Sequence, residues 1–219
     1  MIGAGEVFVH EVVADKSGLQ FPEDCVLRVK KKCPYVSRGG LKLEKALSHF
    51  NISLAGKTCV DIGASSGGFT DCLLQHNAQK IYAIDVAYGQ LDWKIRQDER
   101  VVVLERFNAR KIEPSHIDAP IDLAVMDVSF ISITKIIPPL LPLFSEDTAI
   151  IALIKPQFEL PKEKVGSGGI VRDTIYHQEA IDKIDLFAKQ NDLKNAGVIS
   201  SPIFGPKGNK EFLIYLTQL

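Results

Sequence analysis

A glycine-rich turn between an apolar run and a helical pattern is the feature that most constrains the fold. The turn lies within residues 59–70, and the helical pattern covers residues 69–75. Gly63, Gly67 and Gly68 allow tight backbone turns and close approach of a ligand because they carry no Cβ atom. The free N–H groups at the start of the helix point toward the same place. The segment therefore predicts a ligand site at the carboxyl edge of a parallel sheet.

The charges around this turn indicate which cofactor it binds. A second apolar run ends at Asp85, and a carboxylate at this strand tip suits the two hydroxyls of an adenosine ribose. A dinucleotide fingerprint has the spacing G-x-G-x-x-G, whereas this chain has G-x-x-x-G-G, with Asp61 two residues before the first glycine. That carboxylate would repel a pyrophosphate and attract the ammonium group of an amino acid. The pattern favours S-adenosylmethionine over NAD; the alternatives are a dehydrogenase and a turn needed only for packing.

We therefore expect the cofactor to contact the turn and the ends of the strands beside it. Asn108, after the third strand, is assigned to the adenine edge. The predicted cofactor-binding residues are Asp61, Gly63, Ala64, Ser65, Gly67, Gly68, Phe69, Asp85, Val86, Asn108 and Asp127.

The composition limits the classes of protein to which the chain can belong. A length of 219 residues with 46% apolar residues is enough for one packed α/β domain plus a small appendage. The net charge of −1 means that any nucleic-acid surface must be local. Four cysteines without a C-x-x-C pair indicate reduced thiols rather than a metal site. Prolines interrupt the most apolar window, residues 136–154, which argues against a membrane span.

From residue 57 onward the pattern alternates between strand and helix, which predicts an α/β fold with a mostly parallel, seven-stranded sheet. A short turn before the last strand predicts that this strand runs antiparallel to the others. The predicted strands lie near 57–62, 80–85, 100–104, 121–126, 148–154, 195–200 and 211–217. The predicted helices lie near 40–50, 67–76, 91–97, 132–143 and 174–190.

Basic residues concentrate in two segments that we predict to contact RNA. The first, residues 28–45, overlaps the end of the short strand-like pieces of residues 1–35, and the second is a glycine-rich loop at 157–173. Cations beside free N–H groups suit phosphate contacts, whereas a solvated face or a disordered insertion is the alternative. The predicted RNA-binding residues are Arg28, Lys30, Lys31, Lys32, Arg38, Lys162, Lys164 and Arg172.

Charged residues follow strands that are otherwise apolar, and we predict that they form the catalytic site. Asp127 and Lys155 follow the fourth and fifth strands, and Glu211 opens the last strand. Together with Lys42, from the helix before the first strand, these side chains could converge beside the cofactor. We hypothesise that Lys155 positions or deprotonates an acceptor hydroxyl, that the two acids orient the lysines, and that Lys42 helps to hold the substrate. Unrelated surface salt bridges are the alternative.

The order Lys42, Asp127, Lys155 and Glu211 resembles the Lys-Asp-Lys-Glu tetrad of FtsJ-type RNA 2′-O-methyltransferases. Longer motifs resemble the TlyA (haemolysin A) family: residues 35–43 (YVSRGGLKL), 61–70 (DIGASSGGFT), 88–94 (YGQLDWK) and 155–159 (KPQFE). The resemblance covers nearly the whole chain and implies a Rossmann-like class I S-adenosylmethionine-dependent methyltransferase fold.

The resemblance also implies the activity and the domain organisation. The expected reaction is methyl transfer to a ribose 2′-hydroxyl of ribosomal RNA, with cytidine as the expected nucleotide, in the cytoplasm and without a metal or membrane partner. Residues 1–33 would be part of an S4-like RNA-binding segment whose start is missing, and residues 34–219 the methyltransferase domain. A membrane-active cytolysin and a catalytically silent binding module are the alternatives. The sequence predicts no oligomeric state.

Overall fold

The computed structural model describes residue 2 and residues 7–29, 33–145 and 148–219. The chain divides into two compact units, Met1–Pro34 and Tyr35–Leu219. The division falls close to the predicted boundary between residues 1–33 and 34–219. The assignment of the first unit to part of an S4 domain stays a prediction.

The N-terminal unit contains a three-stranded antiparallel sheet. In the order β2-β1-β3, its strands are β1 (Val7–Val9), β2 (Val12–Val13) and β3 (Leu27–Val29). His10 and Glu11 form the turn between the first two strands, and both have positive φ, which suits the twist of a two-residue hairpin. Arg28 lies 2.6 Å from the carboxylate of Glu11 and covers the ring of Phe8, so local contacts fix this arginine.

The second unit is built on a seven-stranded sheet. Its strands are β4 (Thr58–Ile62), β5 (Lys80–Ile84), β6 (Val101–Leu104), β7 (Leu123–Met126), β8 (Ala149–Ile154), β9 (Leu193–Ser200) and β10 (Phe212–Gln218). Their order across the sheet is β6-β5-β4-β7-β8-β10-β9. Strands β4 to β8 pair in parallel, and β10 runs antiparallel to both of its neighbours. The predicted α/β fold, with its antiparallel last strand, is confirmed.

Helices connect the strands, although two of them are shorter than predicted. They are α1 (Gly39–His49), α2 (Gly68–Gln75), α3 (Trp93–Arg96), α4 (Ile137–Leu140), α5 (Pro156–Glu159) and α6 (Thr174–Lys189). The continuous helix expected at 132–143 is wrong, because α4 stands between two short 3₁₀ turns. Pro138, Pro139 and Pro142 lie in this segment and lack the N–H groups that a continuous helix needs. The helix expected at 91–97 is reduced to the four residues of α3.

Both faces of the central strands are buried, which explains their apolar sequences. Val60 and Ile62 of β4 belong to the apolar cluster on one face, whereas Cys59 belongs to the cluster on the other. The same alternation holds in β5, where Tyr82 and Ala83 face opposite sides. Since a strand buried on both faces has little room for charge, charged side chains are concentrated where the strands end.

Glycines bring the first two helices of this unit close together. A Cβ atom at Gly68 would lie 2.2 Å from Ser37 Oγ and 3.0 Å from the backbone nitrogen of Gly40. A Cβ atom at Gly40 would lie 2.3 Å from Cγ of Tyr35, a distance that side chains do not tolerate. The close approach holds the start of α1 against the start of α2 and so places Lys42 near the glycine-rich turn.

We expect Gly40→Ala to lower the stability of the protein by about 1–3 kcal/mol, because the added methyl group overpacks the ring of Tyr35. Gly39→Ala is the matched control in the same helix, since the nearest atom to its Cβ atom would be Ser37 Oγ at 3.3 Å. Thermal unfolding followed by circular dichroism should show a loss for the first variant alone. Equal melting temperatures for both variants would contradict this account of the packing.

Candidate active site

The carboxyl ends of the parallel strands form one rim of the sheet. Asp127 follows β7 directly, and Lys155 follows β8. The first residue of β10 pairs with the last residue of β8, so Glu211 lies at the same rim although its strand runs the other way. Lys42 reaches this rim from α1. The structure therefore brings together the four side chains that the sequence analysis proposed as catalytic.

These four side chains form a continuous chain of ion pairs. Lys42 Nζ lies 2.8 Å from Glu211 Oε2 and 3.1 Å from Asp127 Oδ2. Lys155 Nζ lies 2.5 Å from Asp127 Oδ1. Lys42, Lys155 and Glu211 are buried, and only the Asp127 side chain is partly open, at 19% exposure. Charges alternate along the order Glu211, Lys42, Asp127, Lys155, so the formal charges cancel.

Burial and pairing act in opposite directions on the ionisation of these groups. Burial alone would raise the pKa of Asp127, but the adjacent charges of Lys155 and Lys42 outweigh it and hold that pKa below its usual value. Burial alone would lower the pKa of Lys42, but Asp127 and Glu211 outweigh it and raise that pKa. Asp127 and Lys42 are therefore both charged at neutral pH.

Ser129 is a member of the site that the sequence analysis did not assign. Its Oγ atom lies 3.0 Å from Lys155 Nζ and accepts a hydrogen bond from it. The ammonium group of Lys155 thus donates to Asp127 on one side and to Ser129 on the other. A serine that follows a buried strand is too common to signal a role, so only the structure identifies this contact.

Two cavities that share Gly63, Ser65, Asp127 and Ser129 open along this rim. The first encloses about 430 Å³ beside Asp85, and the second encloses about 350 Å³ beside the glycine-rich turn and Lys155. The predicted cofactor-binding residues that line one or both cavities are Gly63, Ala64, Ser65, Gly68, Phe69, Asp85, Val86, Asn108 and Asp127. Asp61 and Gly67 are buried and line neither; a Cβ atom at Gly67 would lie 2.9 Å from Leu91.

The shape of the turn fits a cofactor that lies close to the backbone. Gly63 has a φ of +84°, and a Cβ atom there would lie 2.9 Å from the carbonyl oxygen of Asp127. A side chain at this position would therefore close the gap between the ends of β4 and β7. Asp85 accepts hydrogen bonds from the backbone nitrogens of Ser65 and Ala87, each at 2.8 Å. These bonds fix its carboxylate at the edge of the larger cavity, where ribose hydroxyls are expected.

Asp61 is fully buried and only half satisfied. Its Oδ2 atom accepts a hydrogen bond of 2.6 Å from Thr70 Oγ1, whereas Oδ1 has no hydrogen-bond donor among the described residues. Burial raises the pKa of this carboxyl group to about 7, although the Thr70 hydroxyl opposes the shift. A buried acceptor without a partner, just below the turn, fits the ammonium group of an amino-acid-bearing cofactor.

The predicted RNA-binding residues differ in how free they are to bind. Arg38, Lys162 and Arg172 are exposed, and Arg38 lines the smaller of the two cavities. Lys164 is instead held by both carboxylate oxygens of Glu179. Arg28 belongs to the other unit and pairs with Glu11 as described above. The predicted contacts at Lys30, Lys31 and Lys32 lie outside the described residues.

Within the described ranges, no helix has both the length and the apolar character needed to cross a bilayer. The same ranges contain no cluster of three or more histidine, cysteine or acidic side chains with the geometry to hold a metal ion.

The fold and the site together define the class of the protein as an S-adenosylmethionine-dependent methyltransferase. Residues 35–218 match the family model described as FtsJ-like methyltransferase. The chain belongs to this family.

Relatives support the same assignment along nearly the whole chain. YqxC of Bacillus subtilis, named as a candidate rRNA methyltransferase, is 47% identical over 217 residues, which cover 98% of this chain and 77% of the relative. TlyA of Mycobacterium tuberculosis, a 16S/23S rRNA (cytidine-2′-O)-methyltransferase, is 42% identical over 218 residues, which cover 99% of this chain and 81% of the relative.

Solved structures agree with the fold. A protein of Streptococcus thermophilus described as a candidate hemolysin has a TM-score of 0.85 and 42% identity, with 99% of this chain and 80% of that chain covered. The magnesium protoporphyrin IX methyltransferase of Synechocystis PCC 6803, solved with bound SAH, has a TM-score of 0.58, with 83% of each chain covered. At 12% identity this second likeness shows the fold alone.

We expect Lys42→Met to destabilise the protein by about 3–5 kcal/mol, because it leaves two buried carboxylates without their shared cation. The lowered pKa of Asp127 means that the stability supplied by its pairing is present above its usual pKa and is lost as pH falls through the lowered value. The raised pKa of Lys42 means that its contribution is lost only at strongly alkaline pH. The difference in unfolding free energy between the wild type and the variant should therefore be large at neutral pH and smaller at acidic pH.

Urea unfolding of Lys42→Met and the wild type at neutral and acidic pH measures this difference. Lys45→Met, three residues along α1, is the control, because the exposed Lys45 Nζ contacts only the carbonyl oxygen of Ser200 among the described residues. A deficit that is independent of pH would show that lost packing, rather than lost charge pairing, causes the effect.

We expect Asp61→Asn to stabilise the cofactor-free protein increasingly as pH rises. The pKa of Asp61 is raised from 3.8 to about 7, so the folded state binds a proton more tightly and wild-type stability falls as pH rises through this window. The substitution removes that penalty, which is on the order of 4 kcal/mol above pH 7. Thermal melts of both proteins from pH 5 to pH 8 measure the difference in stability between the variant and the wild type. A difference that shrinks with rising pH would contradict the prediction.

Proposed function

We propose that this protein transfers a methyl group from S-adenosylmethionine to the ribose 2′-hydroxyl of a cytidine in ribosomal RNA. The observation that carries the proposal is that Lys155 and the glycine-rich turn line the same cavity of about 350 Å³. Methyl donor and acceptor hydroxyl can therefore meet beside a lysine held by a carboxylate. The TlyA relative, a 16S/23S rRNA (cytidine-2′-O)-methyltransferase, supports the choice of rRNA and of cytidine.

Alignment is the main task of such a site. S-adenosylmethionine supplies a methyl group on a positively charged sulfur atom. A ribose hydroxyl is a weak nucleophile, and holding it in line with that methyl group supplies much of the rate enhancement. Of the three N–H donors of a lysine ammonium group, Lys155 directs one to Asp127 and one to Ser129, which leaves one for the acceptor oxygen.

The other residues of the ion-pair chain hold Lys155 in position, and Asp127 takes up the proton that the reaction releases. With the methyl donor bound, the proton of the acceptor hydroxyl would pass to Lys155, which would give one of its own ammonium protons to the Asp127 carboxylate 2.5 Å away. Lys42 holds Asp127 in place from the other side, and Glu211 in turn holds Lys42. Asp85 would orient the cofactor ribose, and Asp61 would pair with the ammonium group of the cofactor through Oδ1, which has no donor among the described residues.

The exposed cations supply the RNA contacts in this proposal. Arg38 at the smaller cavity, together with Lys162 and Arg172, would bind phosphate groups on either side of the target nucleotide. Because the proposed target lies in a ribosomal subunit or its RNA, the enzyme would act in the cytoplasm. Because the net charge of the whole chain is −1, binding depends on these local cations and weakens as salt concentration rises.

We expect Lys155→Ala to bind S-adenosylmethionine as the wild type does and to lose methyl transfer by about 100-fold or more, because the acceptor hydroxyl is no longer held. Lys57→Ala is the control, since Lys57 lies before β4 at the opposite edge of the sheet. Calorimetry measures cofactor binding, and radiolabelled methyl transfer to unmodified ribosomal subunits measures activity. Full activity in Lys155→Ala with normal cofactor binding would overturn the assigned role.

A further inference from the structure

A third cavity, of about 380 Å³, is lined by Lys155 but by no residue of the glycine-rich turn. Lys155, Ser129 and Glu211 line it, so it reaches the same reacting position as the smaller cofactor-side cavity. A nucleoside placed here would have its ribose at Lys155 and its base deeper in the cavity. That a nucleoside binds here depends on the proposed function, on which the following inference rests.

Aromatic rings form one wall of this acceptor cavity. Phe130 is 90% exposed and has a φ of +64°, a backbone conformation that residues other than glycine rarely adopt. Its ring centre lies 5.1 Å from that of Phe158, which also lines the cavity. A strained backbone that holds an apolar ring in solvent suggests a partner for the ring. The flat face of an unstacked nucleobase is such a partner.

Two buried oxygen atoms on residues of this cavity lack hydrogen-bond donors. Glu211 Oε1 and Gln157 Oε1 are both inaccessible, and no donor within the described parts of the chain reaches either of them. Asn209, in the same wall, is by contrast satisfied on both atoms, because it accepts from Val171 N and donates to the carbonyl oxygen of Gly169. An unsatisfied buried acceptor is costly, so these atoms match a ligand that brings N–H or O–H groups.

Gln157 is well placed to meet the base rather than the ribose. It is the second residue of α5, whose N-cap is Lys155, so the lysine and the amide are held by one short rigid segment. Since no described donor fixes Gln157 Oε1, rotation about the last side-chain bond can turn this oxygen into the cavity that the side chain lines.

We propose that Gln157 determines the specificity for cytidine by accepting a hydrogen bond from the exocyclic amino group of the base. Cytosine carries this amino group where uracil carries a carbonyl oxygen. With uracil, the amide could pair only by turning its NH2 group to that carbonyl oxygen, and Oε1 would stay buried without a donor. A site built around a hydrogen bond to the correct substrate rejects the analogue that lacks it.

Two variants of Gln157 separate this role from a structural one. Gln157→Leu removes the acceptor at similar size, and Gln157→Glu keeps it. The substrates are transcribed, unmodified rRNA whose methylated position has been mapped by mass spectrometry with the wild-type enzyme, and the same RNA with uridine at that single position. We expect the wild type to prefer cytidine in kcat/KM by roughly ten- to hundredfold. Gln157→Leu should lose most of this preference through slower cytidine methylation, and Gln157→Glu should retain it.

The matched control is Gln178→Leu, because Gln178 lies on the exposed side of α6, with its amide donating to Asp182. Calorimetric binding of S-adenosylmethionine establishes that each variant is folded. A Gln157→Leu enzyme that slows equally on both RNAs, or a Gln157→Glu enzyme that loses the preference, would overturn the inference and leave the proposed function intact. A wild type that binds the cofactor and methylates neither RNA, or methylates a nucleotide other than cytidine, would overturn the proposed function and the inference with it.

Discussion

The buried ammonium group of Lys42 is the contact on which both the fold and the site of this protein depend. It joins Glu211, 169 residues away in sequence, and Asp127, 85 residues away. One cation thus ties the helix before the first parallel strand to the end of β7 and to the start of the antiparallel strand β10. Because all three groups are largely removed from water, the protein cannot lose one partner without leaving charge buried and unpaired. The contacts that hold this edge of the sheet together are therefore the same contacts that assemble the site.

The balance of charge in this chain of ion pairs also suits its two proposed ligands. The cofactor brings a positively charged sulfur atom, whereas RNA brings a negative phosphate backbone. A site with excess positive charge would repel the first, and a site with excess negative charge would repel the second. Two lysines and two carboxylates cancel, so the quartet can position a neutral hydroxyl group between oppositely charged ligands. The cations that attract RNA, such as Arg38 and Lys162, lie instead on the exposed surface.

The sequence predicted those features that leave a strong local pattern. A charged residue directly after a buried strand, as at Asp127 and Lys155, is conspicuous because the strand itself admits no charge. Ser129 and Gln157 are uncharged and carry no such signal, and their importance depends on contacts that only the fold creates. The prediction of a continuous helix at 132–143 gave too little weight to the prolines of this segment, which leave α4 one turn long. The local sequence pattern therefore predicts the charged residues of the site but not the neutral residues that contact them.

Three buried acceptors that have no donor among the described residues provide a physical reason for the arrangement of the rim. Asp61 Oδ1, Gln157 Oε1 and Glu211 Oε1 all belong to residues at or just beneath this edge of the sheet. Each unsatisfied buried acceptor costs about 1–3 kcal/mol in the free protein. Such a cost is recovered when a ligand supplies the missing donor, so it strengthens binding of the molecules that carry donors at those points. Discrimination between ligands then follows from hydrogen bonds that the protein leaves unmade when it folds.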